Sequence, residues 1–401
     1  MTTPHARLET LLRDEWGRLL ALLVAQFRRL DLAEDGLADA FEAAARTWDA
    51  VPDNPPAWLL TAARRRVVDR LRSEAVAARK LPLLAVEATV QEEAQAFMAD
   101  AGEPVQDERL RLVLLCAHPS LAPESAAALT LRLVLGVPTE DIARLFLVPT
   151  PTMAARLTRA RKRLAGESFA IPTDLAPRVA TVTDVAYLAF TAGYAPGSGP
   201  DVLRADVAGE AIRLVRVLRS VLPYDDVEVD SLLALMLFQH SRRDARTVDG
   251  QLVLLPDQDR SRWHLADVTE AVELLRPLVD EPASPYLLQA LIAAEHAVAP
   301  SSADTSWDRI VLRYEELEAL TGSPVVRLNR AVAVAEASGP AAGLDVLADL
   351  SLPGHRLPAT RAELLSRLGR LDDARTAYDE AIGRCGNLAE RAHLIERRAQ
   401  L

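Results

Sequence analysis

The chain has 401 residues, 50% of them hydrophobic and only 4% aromatic, which is apolar material for a large core shared among two to three domains. Two cysteines, Cys116 and Cys385, stand far apart, so a disulfide framework is excluded and the cytosol fits. The net charge of -11 lies in one part of the chain: residues 1–164 hold 22 Lys+Arg against 22 Asp+Glu, and residues 165–401 hold the other 24 against 35. A nucleic-acid partner is therefore excluded for the acidic remainder but not for the neutral first part.

Alanine and leucine recur at helical spacing and β-branched alternating runs are scarce, so the fold is predicted to be all-α. No basic stretch leads into an apolar core at the amino terminus, and no uncharged run reaches membrane-spanning length. A soluble, cytoplasmic chain without a membrane partner is expected.

The first block, residues 5–80, reads as several helices. Leu11, Leu12, Leu19, Leu20 and Leu23 share one face, Ala33-Glu-Asp begins a helix running through Phe41 to Trp48, and Pro52 to Pro56 makes a loop. From Ala57 to Arg72, Trp58, Leu59, Ala62, Val67 and Leu71 can pack while Arg64, Arg65, Arg66, Arg70 and Arg72 crowd the other side. Residues 81–106 form an acidic, partly helical linker carrying Glu87, Glu92, Glu93, Asp100 and Glu103.

Residues 107–168 form a second helical block that ends in a helix-turn-helix. Ile142, Ala143 and Phe146 keep helical spacing, Val148-Pro149-Thr150-Pro151 breaks it, and Met153, Leu157 and Leu164 resume it. Thr139 can cap the first helix, and Thr150 the second with Pro151 at its first position. Arg156, Arg159, Arg161, Lys162 and Arg163 then project from the second helix, where guanidinium groups suit both phosphates and the guanine edge in the major groove. The plainer reading is a solvated face of a helical hairpin; the second basic helix upstream weighs against it.

Gly166 and Pro172 mark a boundary. Residues 175–285 form a helical extension, with helices around Val185–Ala192, Asp206–Leu222 and Val229–His240 and a loop through Asp249-Gly250 and Asp257 to Trp263. Residues 286–401 alternate helix and short turn. Gly369, Ala374, Tyr378 and Ala381 match the second half of a tetratricopeptide repeat, with Ala331, Ala335 and Gly339 a weaker echo; an irregular helical bundle is the alternative.

Cys116 with His118 lacks further ligands at suitable spacing, so no metal is expected. No glycine-rich phosphate loop occurs. Asp225-Asp226 and Asp257 with Asp259 read as turn and cap residues, so neither an enzyme nor a cofactor is expected.

Ala33-Glu-Asp, Asp39-Ala-Phe, Trp48, Pro55-Pro-Ala-Trp-Leu, Ala63-Arg and Val68-Asp-Arg-Leu-Arg72 resemble region 2 of a bacterial RNA polymerase sigma factor of the extracytoplasmic-function (ECF) class. Cys116-Ala-His-Pro-Ser-Leu, Leu129-Thr-Leu-Arg-Leu and the stretch to Leu164 resemble its region 4. Phe146-Leu-Val-Pro, Thr152-Met-Ala and Arg156-Leu resemble the subgroup with a long carboxy-terminal, tetratricopeptide-like extension. So do Tyr187-Leu-Ala-Phe, Gly193-Tyr, Glu210-Ala-Ile-Arg-Leu, Leu232-Leu-Ala-Leu-Met-Leu and Asp257-Gln-Asp-Arg-Ser-Arg-Trp263. The sequence departs from the pattern at Arg65, where the class usually has asparagine, at Thr191-Ala192, where the subgroup tends to have Asn-Glu, and at Leu147, where glycine is common.

The resemblance implies two helical DNA-binding domains followed by an α-helical extension, with core RNA polymerase and promoter DNA as partners. Asp35, Asp39 and Phe41 then dock on the polymerase, and Arg64, Arg65, Arg66, Arg70 and Arg72 serve the minus-ten element, with Trp48 and Trp58 read as core. Thr152, Ala155, Arg156, Arg159, Arg161, Lys162 and Arg163 serve the minus-thirty-five element, and Leu157 and Leu164 are core. The extension is implied to regulate the protein or to bind a signalling partner. The alternative is a stand-alone helix-turn-helix regulator with a helical-repeat sensor domain.

Overall fold

A computed structural model describes residues 4–48, 50–77, 103–146, 148–164, 167, 171–172, 174–194, 205–248 and 251–401. Among the described residues the chain is α-helical apart from short 3-10 turns and one two-stranded ladder pairing β1 (247–248) with β2 (251–252), so the all-α expectation holds. The chain divides into two compact units, residues 1–188 with 216–223, and residues 189–215 with 224–401.

The first unit contains α1 (Pro4–Phe27), α2 (Leu30–Thr47), α3 (Pro55–Ala77), α4 (Glu103–Cys116), α5 (Pro123–Leu133), α6 (Thr139–Leu145) and α7 (Thr150–Leu164). It also takes in the beginning of α8 (Ala176–Tyr194) and the end of α9 (Ala205–Val221). The leucines at helical spacing become its core: Leu19, Leu20 and Leu23 of α1, Leu37 of α2 and Leu112 of α4 are shut away from water. Full burial of such side chains contributes about 1.5–3 kcal/mol each. Helices α2 and α3 touch at Gly36, where an added Cβ would stand 2.7 Å from Val67 Cγ2 and 3.0 Å from the Ala63 carbonyl oxygen. Only a glycine admits so close an approach.

Helix α2 starts three residues before the Ala33 expected from sequence, because Arg28 takes the left-handed conformation (φ 54°) and turns the chain early. No side chain caps that end; Leu32 and Ala33 of the first turn are buried, and their packing stands in place of a local signal. Helix α3 begins at Pro55, within the expected loop, with the Asn54 side chain accepting from Ala57 N at 3.2 Å. Residues 81–102 of the expected acidic linker lie outside the described residues, and α4 begins at Glu103. The unit continues past Leu164: Val221 and Leu222, with Ile171 and Leu175, pack on Leu110 and Leu114.

The second unit holds the remainder of α8 and α9, then α10 (Val227–His240), α11 (Leu265–Leu275), α12 (Pro285–Val298), α13 (Trp307–Thr321), α14 (Pro324–Ser338), α15 (Pro340–Val346), α16 (Arg356–Arg367), α17 (Leu371–Arg384) and α18 (Leu388–Ala399). Helix α10 is buried along Val229–Phe238, Asp230 and Ser231 included, and its apolar run Leu232–Phe238 suits a central helix. Its start is fixed by Asp226, whose carboxylate accepts from Glu228 N and Val229 N, which bears out the cap reading. Asp259 likewise accepts from Ser261 N.

Helices α16 and α17 form a hairpin whose corner is Gly369 (φ 74°), with Arg370 N donating to Leu365 O at 3.0 Å. Ala374, Tyr378 and Ala381 are buried, the last two in a cluster with Ala362 of α16. The Tyr378 hydroxyl donates to Glu363 at 2.9 Å, and Arg397 donates to both oxygens of the same carboxylate. Asp249-Gly250 lies outside the described residues.

Candidate nucleic-acid interface

Helices α6 and α7 meet at a corner held by Val148 N donating to Ala143 O at 3.0 Å. Both expected caps are displaced by one residue. Pro138 occupies the N-cap of α6, so Thr139 lies within the helix and makes no cap bond. At α7 the Pro149 carbonyl accepts from Thr152 N and Met153 N, which places Thr150 in the first turn and Pro151 after it. A proline at these positions loses no intrahelical bond, and its fixed φ suits the entry.

Met153, Leu157, Ala160 and Leu164 form the inward stripe of α7. The opposite face presents Thr152, Ala155, Arg159, Lys162 and Arg163, all exposed. Arg156 is half-buried, its guanidinium 5.8 Å from the centre of the Phe146 ring. Five of the seven residues expected at a minus-thirty-five contact thus share one exposed surface, with Arg156 beside the corner. Leu147 lies outside the described residues.

Arg161 departs from that set. It turns away from the exposed face, and its Nη2 lies 2.7 Å from Oε2 of Glu34 on α2. Arg132 of α5 places Nε 2.7 Å from the other oxygen of the same carboxylate, while its guanidinium rests 5.4 Å from the Trp16 ring centre. Glu34 is only 5% exposed, so a buried carboxylate ties α2 to α5 and α7 through two charge-assisted contacts. The expectation that Arg161 reaches DNA is corrected: ion pairing with a desolvated carboxylate outweighs its place in a run of basic residues. The sequence reading passed over Glu34, whose signal was a carboxylate at an apolar-periodic position of α2.

The upstream basic helix is divided in a similar way. Arg65 and Arg66 are exposed, whereas Arg64 and Arg72 are half-buried, the latter 3.6 Å from Asp69. Arg70 bridges both acidic residues expected to dock on polymerase, donating to Asp35 and, at 3.0 Å, to Asp39. One cation and two anions assigned to different partners thus form one surface cluster. Phe41, expected on the same docking surface, is 7% exposed and stands 5.8 Å from Trp16, so it is a core residue. Its apolar area is buried within the unit and is not presented to a partner. Trp48 and Trp58 meet edge to face at 5.3 Å, each half-buried.

Cys116 is fully enclosed and burial drives its thiol pKa upward, which leaves it protonated and a poor ligand. The His118 ring contacts Ser120 and Glu167. Among the described residues, His355, Cys385 and Glu390 bring ligand-type atoms within 4.8 Å of one another. Each atom already serves the fold: His355 Nε2 lies 3.0 Å from Glu390, and the Cys385 thiol donates to Asn387 O. No described helix is long and apolar enough to cross a membrane.

Residues 111–164, which contain this helix-turn-helix, match the profile of sigma-70 region 4. Residues 178–279 match that of a family of unknown function, DUF6596. The chain is 38% identical over 392 residues to an uncharacterized protein of Rhizobium meliloti (strain 1021), spanning 94% of this chain and 91% of that protein. No solved structure matches the chain.

Proposed function

This chain belongs to one family with that Rhizobium meliloti protein and carries a sigma-70 region 4, and on that premise we propose that it is an alternative sigma factor of the ECF class. The observation that carries this reading is the exposed face of α7, Thr152, Ala155, Arg159, Lys162 and Arg163, projecting from a helix-turn-helix within the sigma-type match. A recognition helix places such a face in the major groove, where its arginines reach guanine edges and its flanking cations reach phosphates.

In this reading the protein performs no covalent chemistry and uses no cofactor. It binds core RNA polymerase through the α2 surface bearing Asp35 and Asp39, and lends the enzyme a promoter. Arg65 and Arg66, exposed on α3, lie along the displaced strand at the minus-ten element, where phosphate contact favours an opened duplex. Arg156 and Arg159 serve base readout at the minus-thirty-five element. The acidic second unit, including the tetratricopeptide-like hairpin of α16 and α17, governs when the sigma part is active.

Run-off transcription with purified core polymerase and promoter DNA tests the reading. Promoter-specific transcript that depends on this protein supports it. A protein that never associates with core polymerase yet binds duplex DNA alone is instead a stand-alone regulator.

A further inference from the structure

Three guanidinium groups of the second unit, those of Arg242, Arg246 and Arg260, gather around two aromatic rings. Arg246 lies 3.9 Å from the centre of the Tyr194 ring, and Arg242 lies 5.9 Å from the same centre and 6.0 Å from that of Trp263. Arg260 stacks on Trp263 at 4.4 Å and donates to the carbonyls of His296 and Ala299. Among the described residues none of the three forms an ion pair. Glu390 and Asp304 influence Arg246 and Arg260 only through space.

Partly buried arginines are normally balanced by carboxylates, because removing a cation from water is costly and a carboxylate recovers part of the loss. Here the balance falls to ring faces and neutral acceptors: Arg242 donates to the Tyr194 hydroxyl and to Gln239. Two donors have no acceptor. Arg246 Nη1 and Trp263 Nε1 are buried without a hydrogen-bond partner. Beside a positive cluster that no carboxylate pairs with, these two open donors add to a local surplus of donors and of charge. His296 agrees: burial and the guanidinium groups of Arg242 and Arg260 push its pKa down to about 4, so the ring stays neutral near them.

We propose that Arg242, Arg246 and the Trp263 indole N–H form a binding site for the phosphate group of a small molecule. The donors come from three separate side chains, and a tetrahedral oxyanion offers acceptors in several directions, whereas a planar carboxylate suits a single guanidinium fork. The residues are set by the end of α8, the segment after α10 and the loop before α11, so an occupant ties these elements together. The site goes beyond the sigma-factor reading and is independent of it, since binding can be read without polymerase or promoter.

The test uses the full chain, with thermal unfolding and isothermal titration against inorganic phosphate, adenosine monophosphate, acetate and matched chloride. The expected result is a saturable rise in Tm with phosphate and none beyond the chloride control with acetate. R246Q and R242Q should each weaken phosphate binding at least tenfold, and W263F, which keeps the ring shape, should weaken it severalfold. Tighter binding of adenosine monophosphate assigns the site to a phosphorylated organic molecule, and equal binding assigns it to phosphate itself. Circular dichroism confirms that the variants fold. A phosphate effect no larger than that of chloride, or wild-type binding by R246Q, R242Q and W263F together, overturns the proposal.

Discussion

Glu34 and Arg161, 127 residues apart in the chain, meet at 2.7 Å with the carboxylate almost fully buried. The contact joins the helix expected to face polymerase with the helix expected to face DNA, and Arg132 completes it from a third helix. Removing the carboxylate leaves two partly enclosed guanidinium groups without their counter-charge. Glu34→Ala should therefore destabilise the first unit by about 2–3 kcal/mol, read as a lower urea midpoint. A double-mutant cycle with Arg161→Ala should show coupling of about 1 kcal/mol or more; additive losses would mean that the pair contributes nothing as a pair.

Arg159→Ala and Arg161→Ala should separate readout from structure. The first keeps the stability of the parent but loses about 1–3 kcal/mol of binding to a minus-thirty-five site if it contacts a base. The second lowers stability while leaving base preference in place. Binding measured on a panel of single-base promoter variants distinguishes them, and a change of preference in Arg161→Ala would contradict its burial against Glu34.

Truncation after Leu164 removes Ile171, Leu175, Val221 and Leu222 from Leu110 and Leu114, so it uncovers part of the first unit's own core. Such a fragment should unfold at a lower temperature than one ending after Pro223 and should bind a hydrophobic dye. Equal melting of the two fragments would show that this cluster adds no stability. A loss of transcription on cutting at Leu164 therefore reports damage to the sigma part as well as removal of the extension.

His296 and His240 are both held neutral, with pKa values pushed down to about 4, first by burial and then by neighbouring arginines. Unfolding restores the ordinary value near 6.5, so the unfolded chain binds more protons between those limits. Stability should be full above about pH 6.5 and fall as pH drops towards about 4, with His296 contributing on the order of 3 kcal/mol to the loss and the more exposed, solvent-screened His240 less. Denaturation midpoints across that window should have a smaller slope in His296→Gln. An unchanged slope would mean that the ring titrates normally in the folded protein.

Asp226→Ala removes the side-chain acceptor from Glu228 N and Val229 N at the start of the buried α10. A cost of about 1 kcal/mol is expected, visible as a lower Tm. Asp226→Asn, which keeps an acceptor oxygen, should recover most of it.

Much of the fold was legible locally. Leucines at helical spacing predicted the inner stripes, Met153, Leu157 and Leu164 kept their period into the core, and the helix expected around Val229–His240 formed, although its burial on all sides was not read from the sequence. Helix ends were less legible: the α6 and α7 caps fell one residue away from the threonines, because prolines and backbone carbonyls replaced side-chain caps. The exposed part of the candidate interface also followed from spacing, since residues on the polar side of an amphipathic helix face solvent unless something covers them.

What spacing could not supply was the identity of the covering group. Arg161 and Arg159 are equivalent as members of a basic run, yet one is paired with Glu34 and the other is open to solvent. Arg70, Asp35 and Asp39 were separable by role in the sequence and became one cluster when α2 met α3. The sequence by itself determined the helical class, the apolar stripes and the basic helix-turn-helix, because those depend on period and composition within a few turns. Only the tertiary structure decided which charges remain free and where the uncompensated arginines of the second unit gather, because pairing and desolvation depend on residues distant in the chain and adjacent in space.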